Sequence, residues 1–302
     1  MVESRVGGLS VGSMWQLKIG DTFDSRYRIL RKIGSGGMSY VFAAEDEELA
    51  ETVALKVIKP DFAEDGEFVT RFKREVRITR QIRHPNVVQV FEFGRTSLDG
   101  TDLYYLTMEL LKGQDLGGWL RAQKPAALAD VLRIGLQLCD ALKEAHGAGV
   151  IHRDLKPQNI FVEPNDQVKL MDFGISRITS WPSVTQGGKL IGTPRYMSPE
   201  QIHSKVAPDH RSDIYSLGIV LYELCTRRKP FDGDNTIAIA MKQLQEVPQR
   251  PRELNPRVLA ALDLVIRKCL EKEPDRRYQT AAELRAALEF ILSQPKSPTG
   301  VK

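Results

Sequence analysis

Residues Lys32–Phe42 read KIGSGGMSYVF, with Gly34, Gly36 and Gly37 close together. Backbone without side chains lets amide N–H groups approach phosphate oxygens, and three kinds of loop use this. A dinucleotide loop runs from a strand into a helix and carries a third glycine, with an acid closing the next strand. Here that third position is Ser39, a strand-like segment follows, and the next strand ends in Lys56 and Lys59. A Walker loop needs Gly-Lys-Ser/Thr after four intervening residues, which is absent. What remains is a glycine hairpin folded over nucleotide phosphates, and it calls for a cation. Alternation over Thr52–Lys59 puts Ala54, Lys56 and Ile58 on one face and Val53, Leu55 and Val57 on the other. Lys56 therefore sits inside an apolar run, where an ammonium is costly unless paired. Phe68, Phe72, Glu75, Thr79 and Ile82 follow helical spacing, so Glu75 shares an apolar stripe. These residues predict a Lys56–Glu75 ion pair that turns the lysine toward the phosphates. Two later stretches, HRDLKPQN (His152–Asn159) and DFG (Asp172–Gly174), concentrate carboxylates, an amide and a lysine.

The elements that must hold these residues fall into two groups. RYRILRKIG, SYVFAAE and TVALKVIK are rich in aromatic and β-branched residues, separated by the glycine loop and an acidic turn at Glu45–Glu51, which predicts an antiparallel meander. A helix is expected over Glu67–Arg83, stopped by Pro85, then two strands, NVVQVFEFG and DLYYLTMEL, around a Ser-Leu-Asp-Gly turn. After Gly113 helices prevail. Val131–Ala145 carries an apolar stripe ending at Gly147, and two short strands, NIFVE and VKLM, flank Pro164-Asn165-Asp166. A long polar segment runs from Asp172 to Pro199, and Thr280-Ala-Ala-Glu283 reads as a capping box before a final helix.

In order and spacing, GSGGMSYVF, VALKVIK, HRDLKPQNI, MDFGISR and GTPRYMSPEQ resemble the signature set of the protein kinases, most closely the bacterial serine/threonine kinases of eukaryotic type, over Tyr27–Leu292. The resemblance implies an α+β, bilobal protein-kinase-like fold: a small antiparallel β-sheet N-lobe with one main helix (27–110) and a larger, mainly helical C-lobe (114–293). Residues 1–26 are an extension of uncertain order and 294–302 a polar tail. It implies ATP and Mg2+, with Mn2+ as a substitute. Asp154 matches the base that accepts the substrate hydroxyl proton, Lys156 can reach the transferring phosphate, and Asn159 and Asp172 offer hard oxygens to the metal. Ile33, Gly34, Ser35, Gly36, Gly37, Met38, Ser39, Tyr40 and Val41 form the lid over ATP. Met108 resembles the gatekeeper and Glu109 to Leu111 the linker whose backbone reads adenine. Asp115 matches the acid near the ribose, and Val41, Ala54, Phe161 and Met171 sandwich the base in a pocket between the lobes. For Met108 and these four apolar residues, plain core packing is an equally compatible role. His152 and Phe173 resemble packing residues, Glu200 and Arg277 an anchoring ion pair, and Asp213 a brace for the catalytic loop.

Composition narrows the classes. With 302 residues, 42% hydrophobic and 27% charged, the chain can bury a large core. A net charge of +4, with acids and bases interleaved, does not imply nucleic acid. Cys139, Cys225 and Cys269 are widely spaced in apolar segments, which suits buried reduced thiols and a cytoplasmic setting. The best apolar run, Ile214–Cys225, is too short for a membrane span, and no secretory signal is visible.

The resemblance further implies protein substrates phosphorylated on Ser or Thr. Arg153 precedes the base, so a phosphorylated segment could dock there. Autophosphorylation in trans within a homodimer is expected at Thr185, with Ser183 and Ser180 next, while Thr193 supports Asp154 and Lys156. Two other readings are a pseudokinase scaffold, which predicts loss of Lys56, Asp154, Asn159 or Asp172, and a kinase-like small-molecule phosphotransferase, which generally lacks a segment ending in Ser-Pro-Glu. All four residues and that segment are present.

Overall fold

The computed structural model describes residues 17–98, 100–122, 125–173, 194–203 and 207–294. They form two compact units, 17–66 with 91–110 and 67–90 with 111–294.

The first unit is a six-stranded sheet in the order β1-β2-β3-β4-β6-β5, built from β1 (Thr22–Phe23), β2 (Tyr27–Ser35), β3 (Ser39–Asp46), β4 (Glu51–Ile58), β5 (Val90–Leu98) and β6 (Thr101–Glu109). A short helix α1, Pro60–Ala63, follows β4. The register confirms the alternation read from the sequence. Phe42 faces Leu55 and Ala44 faces Val53, and these join Tyr27, Ile29, Val57, Leu103 and Tyr105 in one apolar cluster. On the other face Val41 lies opposite Lys56, and Ala54 opposite Met108.

The second unit begins with α2, Gly66–Thr79, which buries Phe68, Val69, Phe72, Glu75, Val76 and Thr79. The helix is shorter than the expected Glu67–Arg83: Arg80 and Gln81 form a turn, and Ile82 reaches the core from beyond it. The strand expected over NVVQVFEFG is divided. Asn86–Val88 hold to the second unit, where Val88 N donates to Leu170 O at 3.0 Å and Asn86 Nδ2 to Val168 O at 2.8 Å, and only from Val90 does the chain enter the first sheet. Composition cannot show this, because both pieces are short apolar, β-branched or aromatic runs.

The rest comprises β7 (Gln114–Asp115), α3 (Leu116–Ala122), α4 (Leu128–Gly147), β8 (Ile160–Val162), β9 (Val168–Leu170), α5 (Pro199–His203), α6 (Arg211–Thr226), α7 (Thr236–Gln245), α8 (Pro251–Leu254), α9 (Ala260–Cys269) and α10 (Ala281–Ser293). Ile214–Cys225 is the centre of a buried core helix, as expected: α6 packs with α4, α9 and α10 side chains around Leu138, Leu142, Leu221 and Leu288. No described helix is long and apolar enough to cross a membrane. All three cysteines are buried free thiols, and burial pushes Cys225 and Cys269 up to about 12. The predicted capping box forms in part. Thr280 Oγ1 accepts from Glu283 N, but Glu283 Oε2 accepts from Gln279 N, one residue before the helix cap.

Lys272 has a consequence for pH. Its ammonium donates to Gln243 O at 2.8 Å and stands 4.0 Å over the Phe231 ring. Burial, aided by the charge on Arg277, lowers its pKa from the ordinary 10.5 to about 8. Between those values the unfolded chain holds more protons than the folded one, so stability rises with pH there. The thermal midpoint should therefore rise between about pH 8 and pH 9.5, and Lys272→Met should flatten that slope. Parallel profiles for the two proteins would contradict the assignment. Above about pH 10 the buried tyrosines, whose hydroxyls are pushed up by burial, reverse the trend.

Candidate active site

In the first unit, the glycine hairpin joins β2 to β3. Gly34 pairs with Val41 and Ser35 with Tyr40, Ile33 is partly exposed, and Gly36, Gly37 and Met38 form the tip. Ser39 is the first residue of β3, buried, and its carbonyl accepts from Gly36 N at 2.9 Å, so the serine that breaks the G-x-G-x-x-G pattern lies past the tip. The chain itself does not require glycine at the tip. A β-carbon at Gly36 meets only Ser39 O at 3.9 Å, and one at Gly37 meets nothing within 4 Å; neither has a left-handed φ. By contrast, Gly113 has φ +130° and a β-carbon there would stand 2.2 Å from Val162 O. Open glycines at a hairpin tip suit the close approach of a ligand rather than an internal need.

Sequence reasoning missed Lys59. Its Nζ donates to Gly36 O at 2.7 Å and Gly37 O at 2.8 Å, and its backbone N to Met38 O at 2.9 Å. The tip carbonyls are gathered by one lysine, and two ammonium groups stand over the Tyr40 ring, Lys32 at 4.3 Å and Lys59 at 5.0 Å from its centroid. Two charge-assisted hydrogen bonds at an exposed site are modest. Lys59→Ala should raise the KM for ATP by about three- to tenfold with kcat little changed; an unaltered KM would remove the clamp.

Residues directly opposite on antiparallel strands share a face. The pairs Gly34–Val41, Val41–Lys56 and Ala54–Met108 therefore put five expected nucleotide contacts on the face away from the apolar cluster. Lys56 is only 5% exposed there. Glu109 pairs with Val53 and so belongs to the opposite face, which leaves its backbone, not its side chain, for ligand reading. Glu75 on α2 is 9% exposed, a buried carboxylate as its stripe implied.

In the second unit, the loop Ile151–Asn159 is fixed by a carboxylate from far along the chain. Asp213, in the first turn of α6 and fully buried, accepts from His152 N, Arg153 N and His146 Nε2, each at 2.8 Å. Burial pushes this acid up, but the hydrogen bonds, His146 first, hold it below the usual carboxylate range. Arg153 takes φ +65°, and its carbonyl accepts from Gln201 Nε2 at 2.7 Å. His152 packs with Phe173 as expected: Nε2–H donates to Met171 O at 2.7 Å, Nδ1 accepts from Asp154 N at 3.2 Å, and the ring meets Phe173 edge-on at 4.8 Å. A carbonyl on one nitrogen and an N–H on the other require the neutral Nε2–H tautomer.

That scaffold brings three predicted site residues to one oxygen. Asp154 Oδ2 accepts from Lys156 Nζ at 2.7 Å and Asn159 Nδ2 at 3.1 Å, and Asn159 Nδ2 also donates to Asp154 O at 2.8 Å. With its amide nitrogen so engaged, Asn159 presents Oδ1, a hard oxygen. Met171 N donates to Asn159 O at 2.9 Å, which sets Asp172 (φ +59°) beside Asn159. Among the described residues no three of His, Cys, Asp and Glu gather into a metal cage. One amide and one carboxylate instead suit a magnesium ion that keeps waters and shares phosphate oxygens. Phe161 in β8 lies opposite Asp115 of β7, and Leu111 is half-buried after β6. Asp115 Oδ1 accepts from Gly118 N at 2.9 Å, capping α3, a structural duty the sequence did not reveal. Gly174, Thr179, Ser180, Ser183, Thr185 and Thr193 lie outside the described residues.

A hairpin with open glycines and a buried lysine on its face in one unit, and a carboxylate–lysine–asparagine group on a braced loop in the other, are the parts expected of a phosphoryl-transfer domain. Residues 27–288 match the protein kinase domain family, and the chain belongs to it. Its relatives include the serine/threonine-protein kinase PrkC of Bacillus subtilis, 38% identical over 90% of this chain and 41% of that protein. Another is the serine/threonine-protein kinase PknB of Mycolicibacterium smegmatis, 42% identical over 87% of this chain and 42% of that protein. The chain thus spans well under half the length of these relatives. The crystal structure of the Mycobacterium tuberculosis PknI kinase domain superposes with TM-score 0.71 at 28% identity, covering 91% of this chain and 99% of that domain.

Proposed function

We propose that the chain transfers the γ-phosphate of ATP to Ser or Thr hydroxyls of protein substrates. The observation that carries this is the meeting of Lys156 and Asn159 on Asp154 Oδ2, on a loop held by Asp213. Asp154 is the acceptor of the substrate hydroxyl proton, and Lys156 offsets charge developing on the transferred group. Lys56 is the cation for the nucleotide phosphates, under the hairpin tip. A magnesium ion, with manganese as a substitute, would be held by Asn159 Oδ1 and the Asp172 carboxylate and would neutralise the phosphate oxygens when bound. A pseudokinase reading is disfavoured because Lys56, Asp154, Asn159 and Asp172 are all present. A small-molecule phosphotransferase is disfavoured because Ser198-Pro199-Glu200 is firmly seated: Ser198 N and Oγ both donate to Gln201 Oε1, and Glu200 pairs with Arg277. A labelled-ATP assay on a generic protein substrate tests the reading by comparing wild type, Asp154→Asn and Lys56→Met. Incorporation by wild type alone supports it, and equal incorporation by all three overturns it.

The open tip gives a sharper test. Gly36→Val should fold with an unchanged thermal midpoint, since a β-carbon there has room, yet raise the KM for ATP about tenfold or more by obstructing the phosphates. An unchanged KM would count against a phosphate-covering hairpin. Regulation belongs to the same proposal: a second copy phosphorylates Thr185, with Ser183 and Ser180 as secondary candidates. Mass spectrometry after incubation with magnesium-ATP checks this, and an active enzyme with no phosphate between residues 174 and 193 would refute it.

A further inference from the structure

A cavity of about 600 Å³ opens beside the catalytic loop and lies wholly within the second unit. Its wall carries Arg121 of α3, Lys156, Arg195, Arg227 at the end of α6, and Lys229, against a single carboxylate, Glu223. Much of that charge is already matched. Lys156 is bound to Asp154, Arg195 pairs with Asp232, and Glu223 accepts from Tyr196 Oη at 2.6 Å with Lys229 Nζ 3.7 Å away. Two cations are not matched by any acid among the described residues: Arg121 and Arg227. The Arg227 Nη1 atom is completely buried and has no hydrogen-bond partner among the described residues.

A buried guanidinium donor without an acceptor is costly, and a set of cations around a cavity of this size raises the local concentration of anions. The cavity is also tied to the chemistry, since Lys156 lines it and touches the carboxylate that receives the hydroxyl proton. Whatever fills it lies next to the acceptor hydroxyl. We propose that this cavity is the acceptor-side subsite and that it selects acidic substrate segments, with Arg121 and Arg227 binding carboxylate side chains that flank the phosphorylated Ser or Thr. This deepens the kinase reading and rests on it. The five cations come from four stretches of sequence, around residues 121, 156, 195 and 227–229, so net charge gives no hint of the cluster.

The test uses the intact chain, magnesium-ATP and three peptides identical except that one Thr is flanked on both sides by Ala, by Glu or by Lys. Wild type should show kcat/KM about tenfold higher for the Glu peptide than for the Ala peptide, with the gain in KM and reduced by salt. Arg227→Gln should shrink the Glu-to-Ala ratio, and Arg121→Glu should move the preference to the Lys peptide, a reversal that mere loss of folding cannot produce. Glu and Ala peptides used within about twofold by wild type, or all three peptides lowered equally in the variants, would overturn the subsite. If wild type phosphorylates no peptide, the kinase reading fails instead, and binding decides the cavity. Fluorescence anisotropy should then show the labelled Glu peptide bound more tightly than the Ala peptide by wild type but not by Arg121→Glu. Equal binding overturns the subsite.

Discussion

Asp154→Asn should leave the chain folded, keep the KM for ATP within a few-fold, and lower kcat by about 10²–10⁴-fold. The substitution is nearly isosteric, and the loop around it is fixed by backbone: His152 N and Arg153 N on Asp213, and Asn159 Nδ2 on the carbonyl of residue 154. Those contacts survive the exchange. What disappears is an anionic oxygen that accepts from both Lys156 and Asn159, and with it the acceptor for the incoming hydroxyl proton. A carboxamide takes up no proton at working pH, and its NH2 group repels the Lys156 ammonium if it takes the Oδ2 position. Single-turnover rates with saturating ATP, beside circular dichroism of both proteins, separate chemistry from folding. A rate within about tenfold of wild type would remove Asp154 from the role of base.

The largest expected effect on stability is at Arg277. Its side chain is wholly buried, and it donates to Glu200 Oε1 and Oε2 at 2.8 Å each. It also donates to the carbonyls of Glu271, Lys272 and Arg211, and its guanidinium lies 4.8 Å over the Tyr215 ring. Burial pushes the Glu200 carboxyl up, but Arg277, with Ser212 Oγ as a further donor, holds it below the usual range. An exposed ion pair contributes about 0–1 kcal/mol, whereas removing one partner of a buried pair costs about 3–5 kcal/mol because the other charge stays buried alone. Arg277→Met should therefore cost about 3–5 kcal/mol, several degrees or more in thermal midpoint. The same change together with Glu200→Gln should cost less than Arg277→Met alone, since the stranded carboxylate is then gone. A double variant less stable than the single by the full Glu200→Gln effect would show the two act independently. Because Glu200 follows Ser198 and Pro199, the Arg277→Met variant should lose activity on protein substrates before it unfolds.

Much of the candidate site is legible in the sequence because it depends on short-range rules. Alternation along Thr52–Lys59 separates Lys56 from Val53, Leu55 and Val57, and the register shows that separation. The spacing of Asp154, Lys156 and Asn159 within one loop gives three side chains that meet at one oxygen. Other features escape such rules. The segment after Pro85 is rich in apolar and β-branched residues along its length, but Asn86–Val88 bond to β9 while β5 joins a different sheet. Lys59 looks like the end of a strand and is the clamp on the glycine tip. Asp115 caps a helix besides any ligand duty.

The sequence by itself determined the order of the chemical groups, the faces of the strands, the buried cysteines and the core helix around Ile219, since residue type and period act over a few positions. Residue type and period alone did not bring distant groups together: Asp213 beneath His152 and Arg153, and Arg277 on Glu200, were implied only by the family resemblance, and the five cations around one cavity were decided only by the tertiary structure. Those meetings depend on how helices pack around a common core, and a charge far along the chain leaves no local period for a sequence to display.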